Sequence, residues 1–287
     1  MSSTVLITII SLSSLGLLAA VILYFVAQKF KVFEDPRIDQ VEEALPAANC
    51  GGCGFAGCRN FAEALVKAET FDNLNCPVGG SETMAKVAEI LGKAAPEVEP
   101  KVAVVRCNGT PEFRQRVNSY DGAADCTIAH NLYGGETGCA FGCLGLGECV
   151  EACDFDALYM DDKTGLPVVV DDNCVACGAC VTACPRNIIE LRKKAKKDRK
   201  IYVSCVNQDK GGPARKACKV ASIGCGKCEK VCNYDAITIS NNLAFIDSDK
   251  CKLCRKCVSE CPTGAILELN FPPRKTKVEP APEKATI

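Results

Sequence analysis

Two stretches of this chain, CVACGACVTACP (residues 174–185) and CKLCRKCVSECP (residues 251–262), share the spacing C-x2-C-x2-C-x3-C-P. Thiols this close on the backbone turn toward a common centre more readily than toward distant partners. Two-residue gaps also let the backbone wrap one corner of a cubane after another. The spacing is that of the bacterial-type [4Fe–4S] run, in which three cysteines hold one cluster and the fourth holds the cluster of a partner motif.

The wider composition supports a metal-thiolate reading. The chain has 23 cysteines against 1 histidine and no tryptophan in 287 residues. Small secreted domains use many cysteines for disulfides, but here most fall in C-x2-C and C-x3-C runs. One histidine argues against mixed Cys/His zinc fingers, whereas all-cysteine zinc ribbons stay open. The net charge of −1 gives no reason to expect a nucleic acid partner.

An internal repeat organises the cysteine-dense region. A 79-residue shift lays Cys139 on Cys218, Cys149 on Cys228 and Cys153 on Cys232, and a 77-residue shift lays Cys174, Cys177, Cys180 and Cys184 on Cys251, Cys254, Cys257 and Cys261. Between the groups, ALYMDDKTGLPVVV and AITISNNLAFID carry apolar residues on either side of a Gly- or Asn-containing turn, as paired strands do. In the first copy CAFGCLGLGEC supplies Cys139, Cys143 and Cys149. In the second, CKVASIGCGKC has Ser222 in the place of Cys143 and Cys225 in the place of Leu146, so Cys218, Cys225 and Cys228 are the expected three, with one cluster holding a non-cysteine ligand as the alternative. Glycines 145, 147, 224 and 226 permit the unusual turns this needs. Crosswise pairing then predicts four clusters: Cys139, Cys143 and Cys149 with Cys184; Cys174, Cys177 and Cys180 with Cys153; Cys218, Cys225 and Cys228 with Cys261; and Cys251, Cys254 and Cys257 with Cys232.

A separate group, Cys50, Cys53, Cys58 and Cys76, is spaced C-x2-C-x4-C-x17-C and suits a fifth [4Fe–4S] cluster, with tetrahedral zinc as the alternative. Five sets of four use 20 cysteines. Cys107, Cys126 and Cys205 remain, and are expected to be buried thiols, with ligand exchange with a neighbouring cluster as the alternative.

Residues 4–27, TVLITIISLSSLGLLAAVILYFVA, hold 24 positions without a charge. At ~1.5 Å per residue a helix of this length spans ~36 Å, enough for a hydrocarbon core of ~30 Å. A cleaved signal has a shorter apolar region after a basic start. Lys29 and Lys31 follow, so the positive-inside tendency leaves the cluster domains on the cytoplasmic side of a bacterial-type inner membrane, with lipid around the span.

The expected class is α+β: a transmembrane helix (1–30), a small helical iron–sulfur domain (31–94), a Pro/Glu linker (95–101), two tandem bacterial-ferredoxin-like units (102–191 and 192–270) and a disordered tail (271–287). In the helical domain RNFAEALVKAE is one helix. SETMAKVAEILGKA is a second, with Ser81 as N-cap and Met84, Val87, Ala88 and Leu91 on one face. RKKAKKDRK, with seven basic residues in nine, is either a solvated loop between the units or a docking patch for an acidic redox protein. Neither G-x-G-x-x-G after a strand nor G-x4-G-K-[ST] occurs, and the lone His130 suits a surface or capping role. The chain thus has no complete active site for an organic substrate and is read as carrying electrons.

A leading helix, then NCGGCGFAGC…CP, then a tandem ferredoxin region containing GCLGLGECVEAC resembles the B subunit of Rnf-type ion-translocating ferredoxin:NAD oxidoreductases over all but the tail. The resemblance implies a subunit that takes electrons from reduced ferredoxin and passes them to partner subunits carrying the flavins, the NAD site and the ion path. The N-terminal group also resembles a small iron–sulfur domain of corrinoid proteins. Two other readings remain beside it: a polyferredoxin subunit of another membrane redox complex such as a hydrogenase, and a zinc-thiolate structural protein.

Overall fold

The chain alternates short helices and strands, and a computed structural model describes residues 3–29, 35–96, 99–132 and 134–273. Residues 274–287 of the tail, two linker positions (97–98) and Lys31 lie outside the described residues.

The first helix, α1 (Ser3–Lys29), contains a candidate span at Ile9–Val26 of mean hydropathy 2.4, none of it buried against the rest of the chain. Its apolar side chains face outward all round: Leu12 is 70% exposed and Phe25 66%. A helix apolar on every side has no water-compatible face, and by length and composition this one is a candidate to cross a membrane.

Three helices build the next domain: α2 (Arg37–Ala44), α3 (Cys58–Lys67) and α4 (Gly80–Leu91). Their core gathers Val41 from α2, Phe61, Ala62 and Leu65 from α3, and Met84, Val87, Ala88 and Leu91 from α4. Full burial of each larger apolar side chain contributes roughly 1.5–3 kcal/mol. The apolar face expected for α4 is the one that packs. Ser81, expected as its N-cap, instead lies inside the first turn, with Gly79 at the cap. The chain leaving Cys76 is already curled, since the Gly80 N–H bonds the Cys76 carbonyl at 2.9 Å, so the helix begins ahead of the serine.

The two repeats follow with one topology. The first runs β1 (Lys101–Val105), α5 (Cys126–Leu132), α6 (Glu148–Glu151), β2 (Leu158–Asp161), β3 (Leu166–Val169), α7 (Ala179–Ala183) and β4 (Ile189–Lys193). The second runs β5 (Lys200–Val203), α8 (Gly211–Ala217), α9 (Lys227–Lys230), β6 (Ile237–Ser240), β7 (Leu243–Ile246), α10 (Lys256–Glu260) and β8 (Ile266–Leu269). In each, the outer strands pair antiparallel, β1 with β4 and β5 with β8, and the inner two form the expected hairpin. Asn241 and Asn242 turn the second hairpin with φ of 46° and 60°, the left-handed pair that a two-residue loop requires. Strand β4 runs to Lys193, two residues past the boundary expected between the units.

Side chains of the first repeat lock onto the second. Arg106 donates to the Val203 and Cys205 carbonyls at 3.3 Å each, and the Asn108 N–H reaches the Ser204 carbonyl at 3.2 Å. Arg192, only 6% exposed, donates to the Ile246 carbonyl, and both arginines lie over the Phe245 ring. Lys200 Nζ meets Asp171 Oδ1 at 2.5 Å. Much of the basic run is therefore committed rather than solvated as one free loop. Arg192 pairs with Glu190, Lys193 with Glu99, Lys194 with Asp198 and Lys200 with Asp171, and Arg199 lies over the Phe271 ring, which leaves Lys196 and Lys197 exposed.

Candidate metal centres

The spacing of each motif is converted into a loop followed by a short helix. Backbone of positive φ makes the loop: Gly145, Gly147, Gly224 and Gly226 lie at 79°, 90°, 60° and 78°. Gly224 admits no side chain, because a Cβ there would stand 2.7 Å from the Asn242 carbonyl oxygen. The short helices α6, α7, α9 and α10 then bury Cys149, Cys180, Cys228 and Cys257.

Four hollows lined by cysteine have similar sizes, about 320 to 370 Å3 counting the space at their mouths. One is lined by Cys232, Cys251, Cys254 and Cys257, the set expected from crosswise pairing. Cys153, Cys174, Cys177 and Cys180 likewise stand together: burial pushes Cys180 up to about 11, and the charges of the other three push the same way. In the N-terminal domain, burial raises the Cys76 thiol, the N–H groups of Gly79 and Val78 lower it, and Cys50 and Cys53 are close enough to raise it again. Cys58 opens α3, with its N–H on Asn49 Oδ1 at 2.8 Å.

The other two expected sets are assembled differently. One hollow is lined by Cys126, Cys143, Cys149 and Cys184, with Cys126 where Cys139 was expected. Another is lined by Cys225, Cys228 and Cys261 together with Ser222, which is 5% exposed, and Cys218 is not among its walls. Cys139 and Cys218 line the remaining hollow with Cys107 and Cys205. A sequence signal for this existed. Residues 143–153 read as C-x2-L-x2-C-x3-C and residues 222–232 as S-x2-C-x2-C-x3-C, so each copy keeps the motif register and lacks one cysteine at a different position. Cys107, Cys126 and Cys205, expected as plain buried thiols, all line hollows.

The donor sets fit iron–sulfur clusters. Burial pushes the Cys143, Cys149 and Cys257 thiols up to about 12, with neighbouring thiolates adding to the effect. Bare thiolates therefore do not suit these hollows, and a cationic core at their centre is what would hold the ionised form. N–H donors already point at many of the sulfurs: Ala103 at Cys174 (3.5 Å), Gly79 at Cys76 (3.3 Å), Leu253 at Cys251 and Gly145 at Cys143. Among the described residues, no three His, Cys, Asp or Glu side chains close to the spacing of a single bound ion.

A profile described as "4Fe-4S dicluster domain" matches residues 137–188 and 222–265, and one described as "Putative Fe-S cluster" matches residues 45–78. The chain is 44% identical over 266 residues to the B subunit of a Na(+)-translocating ferredoxin:NAD(+) oxidoreductase complex of Acetobacterium woodii, covering 93% of this chain and 78% of that one. It is 42% identical to the B subunit of an ion-translocating oxidoreductase complex of Methanosarcina acetivorans, covering 93% and 99%. The chain belongs to the family of Rnf-type B subunits. A third member, from Clostridium ljungdahlii, is 41% identical over 92% of both chains and is described as proton-translocating. As a family member the chain is an iron–sulfur electron-transfer subunit of a multi-subunit redox complex, and α1 is its candidate membrane helix.

In this Rnf-type chain the sets adjoin one another. Cys50 lies beside Cys177, and Gly52 is packed so tightly there that a Cβ would come within 2.8 Å of the Cys177 carbonyl. Cys180 lies near Cys149, and Cys228 near Cys257.

Proposed function

We propose that this chain is the electron-input subunit of an ion-translocating ferredoxin:NAD oxidoreductase, anchored by α1 with its cluster domains at the cytoplasmic face. Electrons enter from reduced ferredoxin and leave to flavin-bearing partner subunits. The observation that carries this reading is the adjacency of the cysteine sets, from Cys50, Cys53, Cys58 and Cys76 through Cys153, Cys174, Cys177 and Cys180 to Cys126, Cys143, Cys149 and Cys184. Within the second repeat, Cys225, Cys228 and Cys261 with Ser222 adjoin Cys232, Cys251, Cys254 and Cys257 in the same way. These five sets would each hold one cluster, which supplies reversible one-electron exchange at low potential. The protein contributes sulfurs held by backbone loops, N–H groups directed at them, and apolar walls that keep water away, which together tune the potential.

Mixing the anaerobically prepared chain with reduced ferredoxin tests the donor. Loss of its visible absorbance on mixing is the expected result. A chain bleached by a strong small-molecule reductant but untouched by reduced ferredoxin would remove ferredoxin as donor and leave the clusters in place. Exposed Lys196 and Lys197 are the remaining free positions of the basic run for an acidic donor, so changing both to Gln should reduce the salt sensitivity of this reaction.

A further inference from the structure

We propose that Cys107, Cys139, Cys205 and Cys218 form a sixth [4Fe–4S] site, built at the seam between the two repeats. The proposal rests on the iron–sulfur reading above and adds a centre that neither cysteine motif contains, since three of the four residues lie outside the matched stretches 137–188 and 222–265.

The four sulfurs come from both repeats. Cys107 follows β1 and Cys139 precedes the first motif loop, whereas Cys205 follows β5 and Cys218 follows α8. They line one hollow of about 360 Å3, the size of those around the motif cysteines. Gly109 forms part of the wall. A Cβ on it would stand 3.5 Å from the Cys218 sulfur and 3.7 Å from the Cys107 sulfur, in ordinary contact with both, so Gly109 lines the space beside these two ligands. Cys139, Cys205 and Cys218 are 6%, 9% and 8% exposed, so this is the interior of the molecule rather than a surface cluster.

Each sulfur already has an N–H donor. The Cys143 N–H points at Cys107 (3.4 Å), Asn207 Nδ2 at Cys139 (3.5 Å), the Asn207 and Ser222 N–H groups at Cys205, and the Val220 N–H at Cys218. Asn207 is 1% exposed and serves two of the four ligands. Four thiolates around a dicationic cubane leave a net charge of about −2, which N–H donors and nearby cations must offset. Arg114 and Arg186 stand beside these sulfurs and supply two positive charges. Both are held in place from the same wall, Arg114 donating to the Cys143 carbonyl at 2.5 Å and Arg186 to the Gly142 carbonyl at 2.6 Å.

The position explains the need. On one side, Cys107 accepts the N–H of Cys143, a residue of the adjoining set in the first repeat. On the other, Cys205 accepts the N–H of Ser222, a residue of the adjoining set in the second. Without this centre the series of sets is broken at the seam. With it, every one of the 23 cysteines has a place: five sets of four and one of three completed by Ser222.

The test is iron and acid-labile sulfide per chain on the full-length protein, prepared anaerobically in detergent, beside the double variant Cys107→Ala/Cys205→Ala. Neither substitution removes a cysteine of another set. The expected result is about 24 irons in the unaltered chain, or about 23 if the Ser222 set holds three, and about four irons and four sulfides fewer in the variant. The lost irons should take with them one component of the reduced-state electron paramagnetic resonance spectrum. About 20 irons in both proteins would overturn the sixth site and leave the five-cluster reading standing. A protein without iron and sulfide would overturn both. One zinc lost with the two cysteines, in place of four irons, would also overturn it. Should the variant not accumulate, the unaltered chain decides by itself, about 24 irons against about 20.

Discussion

Replacing Asp171 by Asn tests whether the seam between the repeats is held by buried charge. Asp171 follows β3 in the first repeat, and Lys200 begins β5 in the second. Their side chains are 18% and 6% exposed and meet at 2.5 Å, so the substitution keeps the shape and strands an ammonium in the interior. An exposed pair would be worth under ~1 kcal/mol, whereas removing one partner of a buried pair costs about 3–5 kcal/mol. The partial exposure of Asp171 places the cost near the low end, about 3 kcal/mol. At ~1.4 kcal/mol per tenfold that is on the order of 100-fold, visible in full if the bridge is already broken where the seam opens. A chain with many clusters does not unfold reversibly, so the quantity to measure is a rate: loss of visible absorbance in urea under anaerobic conditions. Asp171→Asn should bleach up to about 100-fold faster, and Asp171→Asn/Lys200→Met should recover most of the loss because no charge is then buried alone. A change below about threefold in the single variant would refute the claim that this pair holds the seam.

Ser222→Cys restores the missing thiol of the second repeat's motif, and the set with Cys225, Cys228 and Cys261 should then keep its iron several-fold longer in air; an unchanged half-life would place Ser222 outside the ligand set. Cys126→Ala should remove iron from the set of Cys143, Cys149 and Cys184 while Cys139→Ala spares it, and the reverse pattern would restore the grouping expected from spacing. Gly224→Ala combines a φ of 60° with a Cβ 2.7 Å from the Asn242 carbonyl oxygen, at a cost of at least about 2 kcal/mol, so iron at that set should fall; a variant of unchanged iron content and heat resistance would mean the loop yields without cost.

What could be read from the sequence was whatever a few consecutive residues decide. The C-x2-C-x2-C loops, the two hairpins with their turns, the buried face of α4 and the uncharged helix of residues 4–27 all follow from local spacing, φ preference and hydropathy. The N-cap at Ser81 failed for a reason a few residues away, because the turn after Cys76 had already begun the helix. The basic run looked uniform because charge on the chain does not reveal its partners. Arg192 and Lys200 are buried against Glu190 and Asp171 only once β4 and β5 are laid down.

The tertiary structure alone decided which cysteines share a centre where a motif is incomplete. Arg106, beside Cys107, bonds the Cys205 carbonyl across 99 positions of chain, and that contact, with the Asn108–Ser204 bond, brings two apparently spare thiols to one hollow. The physical reason is that a four-cysteine loop carries its geometry within a dozen residues. A site drawn from two repeats exists only after strand pairing and buried arginines have fixed the repeats against each other, and nothing in the spacing of its four cysteines records that contact.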